Sequence, residues 1–426
     1  MNKIEKYESA VRSYCRNFPT TFDKAEGYYL YDTDGKQYLD FFAGAGALNY
    51  GHNHPALKEK LLEYIERSGI THGLDMATKA KGDFLETFDE LILKPRGMDY
   101  KVQFPGPTGT NAVEAAMKLA RKVTGRSKLI SFTNAFHGMT LGSLAVTGNA
   151  MKRSGAGIDL TLALCMPYDG YFEDDTDTIE YMDRMIRDTG SGVDMPAGII
   201  VESIQAEGGL NVASFEWLQG IADLCKRYEM LFILDDIQVG CGRTGPFFSF
   251  EEAGLKPDVV CLSKSISGYG MPMALTLIKP ELDLWEPGEH NGTFRGNNLA
   301  FITGIEALNR WWRDDTLTKD VKRKAEKITN FLQSMADKFP QLQPTLKGRG
   351  LIQGIECGVE GAAGNICRRA FERGLIMETA GPTSAVFKLL PSLIIDDAAL
   401  DAGFKIIEAS IEETVRDDLG GAAQAV

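Results

Sequence analysis

No Cys-x-x-Cys pair occurs among the seven cysteines of this chain, and their odd number speaks for reduced thiols in a cytoplasm rather than a disulfide framework. Histidine is scarce as well. His52, His54, His72, His137 and His290 form no His-Glu-x-x-His arrangement, so no metal site is expected. No apolar run approaches the roughly 18 to 20 residues needed to span a bilayer. The first residues, Met1-Asn2-Lys3-Ile4-Glu5-Lys6, are charged and lack the apolar core of a secretory signal, which places the chain in the cytoplasm by expectation. Basic charge is in deficit: 46 Lys and Arg against 59 Asp and Glu give a formal net charge of −13. That balance argues against nucleic acid or an anionic membrane as partner, and equally suits the solvated surface of a cytosolic protein. Internal repeats and low-complexity tracts are also absent.

What is present is a long chain of ordinary globular composition, 426 residues with 44% hydrophobic and 25% charged, enough for a large core and a smaller lobe. Residues 28 to 42 hold two aromatic-rich runs around Asp34-Gly35, a hairpin signal. From about 100 to 280, strand candidates alternate with amphipathic segments: Leu129 to Phe132, Gly198 to Glu202, Leu231 to Asp235, Val259 to Leu262 and Ala274 to Ile278. A helix carrying Trp217, Leu218, Ile221, Leu224 and Cys225 lies between the second and third. This alternation predicts an α/β fold, a mainly parallel sheet with helices on both faces. Beyond Asn298 a helical period appears in Val321, Ala325, Ile328, Leu332 and Met335, followed by short strands at Leu351 to Glu356 and Val386 to Leu390 and a closing helix near 398 to 415. The expected division is an N-terminal segment, 1–60, contributing to the small lobe, a large domain, 61–305, and a C-terminal α+β lobe, 306–426, ending in a frayed tail from Gly420.

Chemistry-bearing residues recur just past the strands, where open α/β sheets bind ligands. Lys264 follows Val259-Val260-Cys261-Leu262, and Asp235 terminates Leu231-Phe232-Ile233-Leu234. An amine able to form an imine, beside an anchored acid, suits pyridoxal phosphate (PLP); the acid would keep a pyridinium nitrogen protonated, with Gln238 at the ring's phenolic oxygen. The plainer alternatives are a surface lysine and a buried acid satisfied by backbone donors. Pro107-Thr108-Gly109-Thr110-Asn111 opens a one-faced helix whose free N–H groups would hold a phosphate, or is simply a cap with Thr110 or Asn111 as N-cap. Phe136-His137-Gly138 offers either a ring to stack on a heterocycle or a core phenylalanine beside a surface histidine. Glu202 and Glu207 bracket a loop as substrate-recognising acids, or as solvated charge.

The order of these motifs resembles the PLP-dependent aminotransferases of fold type I, specifically the class III (ω-aminotransferase) group, over nearly the whole chain. The resemblance is carried by Gly44-Ala45-Gly46 through His54-Pro55, Thr108-Gly109-Thr110, Phe136-His137-Gly138, Glu202 to Gly209, Asp235-Asp236-Ile237-Gln238, Gly242-Arg243-Thr244-Gly245, Ser263-Lys264 and Gly292-Thr293-Phe294-Arg295-Gly296-Asn297. It implies PLP on Lys264, Asp235 at the ring nitrogen, Phe136 stacked on the ring, and Gly109 with Thr110 at the phosphate. Thr293 is similar to the residue that reaches the phosphate of a neighbouring subunit, which implies a homodimer at minimum, with a homotetramer open. Phe104 to Glu114 and Asn291 to Gly296 resemble a subgroup that passes the amino group of L-glutamate to L-aspartate 4-semialdehyde, a step committed to ectoine synthesis. Other acceptors of the family (ornithine, acetylornithine, 4-aminobutyrate), a semialdehyde aminomutase and a non-catalytic PLP-binding regulator are the alternatives. Where many relatives have an arginine before Pro-Pro-Leu, this chain has Lys388 in Phe387-Lys388-Leu389-Leu390-Pro391-Ser392-Leu393. A lysine lacks the bidentate fork for a carboxylate, and a movable Glu207–Lys388 contact is expected to act as a gate between the two substrates.

Overall fold

Seven strands, six of them running in one direction, build the sheet that carries the site. Their spatial order is Lys101–Gln103, Leu275–Ile278, Val259–Leu262, Leu231–Asp235, Gly198–Val201, Leu129–Phe132 and Ala163–Met166. Only Leu275–Ile278 is antiparallel to its two neighbours. The central strands are buried along their whole length, and this is why they read as unbroken apolar runs rather than as alternating ones. The computed structural model describes residues 3–419; the tail from Gly420, expected to fray, lies outside the described residues.

Helices close both faces. Gly109–Thr124 packs Ala112, Val113, Ala116, Met117 and Ala120 against the sheet, and Phe215–Arg227 buries Trp217, Leu218, Ile221, Leu224 and Cys225, its first turn capped by Ser214 Oγ accepting from the Trp217 amide at 3.2 Å. Among the described residues no helix is long and apolar enough to cross a membrane.

The expected hairpin forms from Tyr29–Asp32 and Gln37–Asp40, with Gly35 in the left-handed region at φ 82. It gains two strands that the local pattern did not announce: Phe22–Glu26 on one side and, parallel to Gln37–Asp40, the distant Leu375–Ile376. A separate antiparallel sheet has the order Pro344–Arg349, Ile352–Cys357, Val386–Leu389 and Glu378–Ala380. Against it lies the 23-residue helix Thr316–Lys338. Its buried stripe is Val321, Lys324, Ile328, Leu332 and Met335, so Lys324 takes the place expected of Ala325. The lysine is accommodated because its ammonium donates to the Leu393 carbonyl at 2.9 Å and pairs with Asp320 one turn back.

Arg243 ties these parts together. Fully buried, it donates to the carbonyls of Leu351 (3.1 Å) and Pro391 and to Asn49 Oδ1, and no carboxylate forms an ion pair with it among the described residues. Burial draws its guanidinium down to about 9. Replacing it removes that desolvation but leaves three buried acceptors bare, and the second effect is the larger. Arg243→Met is expected to lower stability by about 3 kcal/mol, read as a drop in the urea midpoint; an unchanged midpoint would show that the post is dispensable.

Candidate active site

The strand ends converge as parallel topology requires. Asp235 closes its strand next to Cys261 of the adjacent one, Lys264 follows two residues beyond Leu262, Glu202 follows Val201, and Phe136 and His137 follow Phe132. One cavity is lined by Gly109, Thr110, Phe136, His137, Glu202, Glu207, Asp235, Gln238 and Lys264, so the structure brings together every expected pocket residue except Thr293 and Lys388. Lys388 enters through its contact with Glu207, and Thr293 lies on an exposed turn lining another cavity with His72, Leu74 and Pro107.

Lys264 sits in the left-handed region at φ 54, a conformation that costs a non-glycine residue about 1–2 kcal/mol. Such an outlier persists where the surroundings dictate it, and here it aims the side chain into the cavity. Burial is the main force on the amine and lowers it to about 8, with Lys388 pushing the same way and Glu207, Glu378 and Asp235 resisting.

Asp235 is 5% exposed, accepts the Ile237 amide on Oδ1 at 3.1 Å, and places Oδ2 2.7 Å from His137 Nδ1. The histidine is therefore not the surface residue of the plainer reading. It is buried, and Phe136 is the partly exposed member of the pair, because the backbone after Phe132 turns the histidine inward onto Asp235. The Phe136 amide donates to Glu202 Oε2 at 3.0 Å, a carboxyl held well above its usual range by burial and by the neighbouring Asp235. Glu202 is thus an internal brace and not solvated loop charge. Asp236 turns the other way, accepting from the Ser249 hydroxyl and amide, and burial lifts it to about 7 against those bonds.

The helix Gly109–Thr124 begins with its first amides, those of Gly109 and Thr110, lacking intrahelical acceptors. Its N-cap is Thr108, not Thr110 or Asn111. Thr108 donates from its amide and hydroxyl to Asn111 Oδ1 at 3.2 and 2.8 Å, while the Thr110 hydroxyl bonds Thr140 and Ser143 at 2.7 and 2.8 Å. A Cβ on Gly109 would come to 2.9 Å from Ile237 Cδ1, so a larger residue here would have to displace that side chain. Two buried polar atoms on the cavity wall, His137 Nε2 and Gln238 Oε1, have no protein partner, while Gln238 Nε2 donates to Ala45 O at 2.9 Å. Free amides for an anion, an aromatic ring, a carboxylate for a ring nitrogen and a nucleophilic amine are the donor set that PLP requires.

Lys388 is fully buried between two carboxylates, Glu207 Oε1 at 3.1 Å and Glu378 Oε1 at 2.8 Å. Burial opposes its charge, but the two acids outweigh burial and raise the ammonium far above its usual range. For Glu207 burial is likewise the largest influence, and Lys388 and Lys264 overcome it to hold the carboxyl at about 2. Glu378 is raised by burial and by Glu207. Nothing local in the sequence marks Glu378, because its contact arises from antiparallel pairing of Glu378 with Lys388 across strands.

Comparison with known proteins agrees with this geometry. Residues 11–411 match the family model "Aminotransferase class-III", and the chain belongs to that family, with PLP as cofactor on an α/β fold of type I. The chain is 60% identical over 411 residues to the diaminobutyrate–2-oxoglutarate transaminase of Nocardia farcinica, covering 96% of this chain and 94% of that protein. It is 58% identical over 415 residues to the enzyme of the same name from Halalkalibacterium halodurans, covering 97% of each. Among solved structures, the ornithine aminotransferase of Toxoplasma gondii superposes with a TM-score of 0.84 at 25% identity, over 97% of this chain and 94% of that one. An S-selective transaminase from Bacillus megaterium shares the fold with a TM-score of 0.86 at 22% identity, over 97% of each chain.

Because the neutral amine is the form that reacts, and Lys264 has its proton half removed near pH 8 rather than near 10.5, covalent loading of the apoprotein with PLP is expected to accelerate up to about pH 8 and level off above it. A rate still climbing tenfold per pH unit through 10 would show an unperturbed lysine.

Proposed function

We propose that the protein transfers the amino group of L-glutamate to the terminal carbon of L-aspartate 4-semialdehyde, releasing 2-oxoglutarate and L-2,4-diaminobutyrate in the cytoplasm. The observation that carries this reading is one pocket joining Lys264, the Asp235–His137 pair and Glu207, behind which Lys388 is held by two acids; the near-full-length relatives supply the substrate pair.

Bound PLP supplies a carbonyl that captures the amine and a ring that takes up the electron pair released at the reacting carbon. The protein does the rest. The amides of Gly109 and Thr110 hold the phosphate, Phe136 covers the ring, and Asp235, oriented by His137, holds a proton at the ring nitrogen. Lys264, once displaced by the donor's amine, would take the proton from the donor's Cα and deliver it to the carbon that was the cofactor's carbonyl, and water would then release the 2-oxo acid. Thr293, exposed and away from its own pocket, is assigned to the phosphate of a second subunit, which makes the homodimer the smallest working unit.

The two half-reactions present different ends to one pocket. Glutamate reacts at a carbon bearing a carboxylate, whereas the semialdehyde reacts at a carbon bearing none. Glu207 lies on the loop between Ile204–Gln205 and Asn211–Val212, while Glu378 is fixed opposite Lys388 by strand register. Glu207 is therefore the partner able to leave. It withdraws as the α-carboxylate of glutamate arrives beside Lys388 and returns for the semialdehyde, so the buried ammonium is never bare, a state that would cost several kcal/mol.

Incubation of the holoprotein with L-glutamate and L-aspartate 4-semialdehyde is expected to yield 2,4-diaminobutyrate, identified by mass and chromatography; turnover of glutamate with other aldehydes only would transfer the reading to another acceptor. Glu207→Ala is expected to lower KM for glutamate by about tenfold, the worth of one charged contact no longer displaced. An unaltered glutamate half-reaction contradicts the gate.

A further inference from the structure

A recess adjoining the pocket holds one more cation, Lys152, that neither the cofactor nor the gate uses. Lys152 lies on the short helix Ala150–Ser154, half-buried, with its ammonium 4.0 Å from the centroid of the Phe136 ring. It pairs with no carboxylate among the described residues, although its charge reaches Glu207 and helps hold that carboxyl low. It lines a small recess with Asn134, Asn149 and Pro382 that shares Phe136 and Glu207 with the main cavity. The other ammonium groups of the site are committed: Lys264 to the cofactor, Lys388 to two acids.

The substrates, taken from the function proposed above, explain what an uncommitted ammonium would read. In glutamate the side-chain carboxylate carbon lies three bonds from the reacting Cα. In aspartate semialdehyde, and in diaminobutyrate formed from it, the carboxylate carbon lies three bonds from the reacting terminal carbon. The molecules differ at the reacting end, where Glu207 and Lys388 adjust, and in the amino group that the semialdehyde and diaminobutyrate carry beside the far carboxylate, but that carboxylate itself lies at the same separation in all three. One fixed cation can therefore serve both half-reactions. The geometry points to Lys152 as that cation, a specificity-determining residue that binds the distal carboxylate of donor and acceptor alike. Partial burial against an aromatic face favours this role, because an ammonium with reduced hydration makes a stronger charge-assisted bond to an arriving carboxylate.

The test compares substrates with and without that carboxylate, using the holoenzyme in single half-reactions. Lys152→Met is expected to raise KM about 10- to 100-fold for both L-glutamate and L-2,4-diaminobutyrate, with kcat little changed. L-Glutamine, the uncharged amide, and 1,3-diaminopropane, which is diaminobutyrate without its carboxylate, should react as with the unmodified protein. Lys152→Arg should keep most of the preference. Calorimetric binding of glutarate, an unreactive dicarboxylate, should weaken by the same factor in Lys152→Met. Equal losses on charged and uncharged substrates, or no change on either, would overturn the assignment. If the unmodified protein reacts with glutamate but not diaminobutyrate, the proposed acceptor fails, while the glutamate–glutamine comparison and glutarate binding still decide Lys152.

Discussion

A carboxylate at the end of a fully buried strand is the constraint from which the site follows. Asp235 has almost no contact with water, and the protein supplies it with a backbone amide on one oxygen and His137 on the other. Those bonds fix both the strand end and the loop after Phe132, since His137 cannot reach Asp235 unless that loop turns inward. The same loop carries Phe136, whose amide is held by Glu202. Carboxyl groups are therefore buried in layers: Asp235 bonded to His137, Glu202 bracing the aromatic, and Asp236 directed away onto Ser249 behind. A buried polar network of this kind is worth having only if each member is satisfied, and the two unpaired atoms that remain, His137 Nε2 and Gln238 Oε1, both face the cavity.

The second half of the site depends on a different balance. An arginine can hold a carboxylate by two parallel bonds, whereas a lysine is a point charge that needs surrounding acids to stay ionised when buried. Lys388 has two, Glu378 held opposite it by strand register and Glu207 on a loop, and the gate proposed above rests on that asymmetry. Arg243 works at longer range, linking Asn49, Leu351 and Pro391 and so seating the strand that ends just before Pro391 against the large sheet.

Much of this was legible in the chain because parallel strands place their final residues at one edge. A charge directly after an apolar run, as at Asp235 and Lys264, locates itself without knowledge of the partner strands. The hairpin at Asp34-Gly35 and the helix starting at Gly109 were equally local. What escaped were features made by distant pairing: Leu375–Ile376 joining the N-terminal hairpin, Glu378 facing Lys388, and Lys152 folding back over Phe136. Thr108 rather than Thr110 caps the helix because Asn111 reaches back to it, and Lys324 replaces Ala325 in the helix stripe because its ammonium finds a carbonyl. In each case a polar side chain settled the outcome where the hydrophobic pattern was neutral.

In the proposed function Lys264, strained and stripped of water at the edge of the sheet, is the amine that carries the cofactor. Reduction of the PLP-loaded protein with borohydride, followed by peptide mass spectrometry, tests this directly, because reduction fixes an imine in place. A single pyridoxyl adduct on the peptide containing Lys264 is the expected result. An adduct on Lys152, Lys388 or another lysine, or none at all, would contradict it.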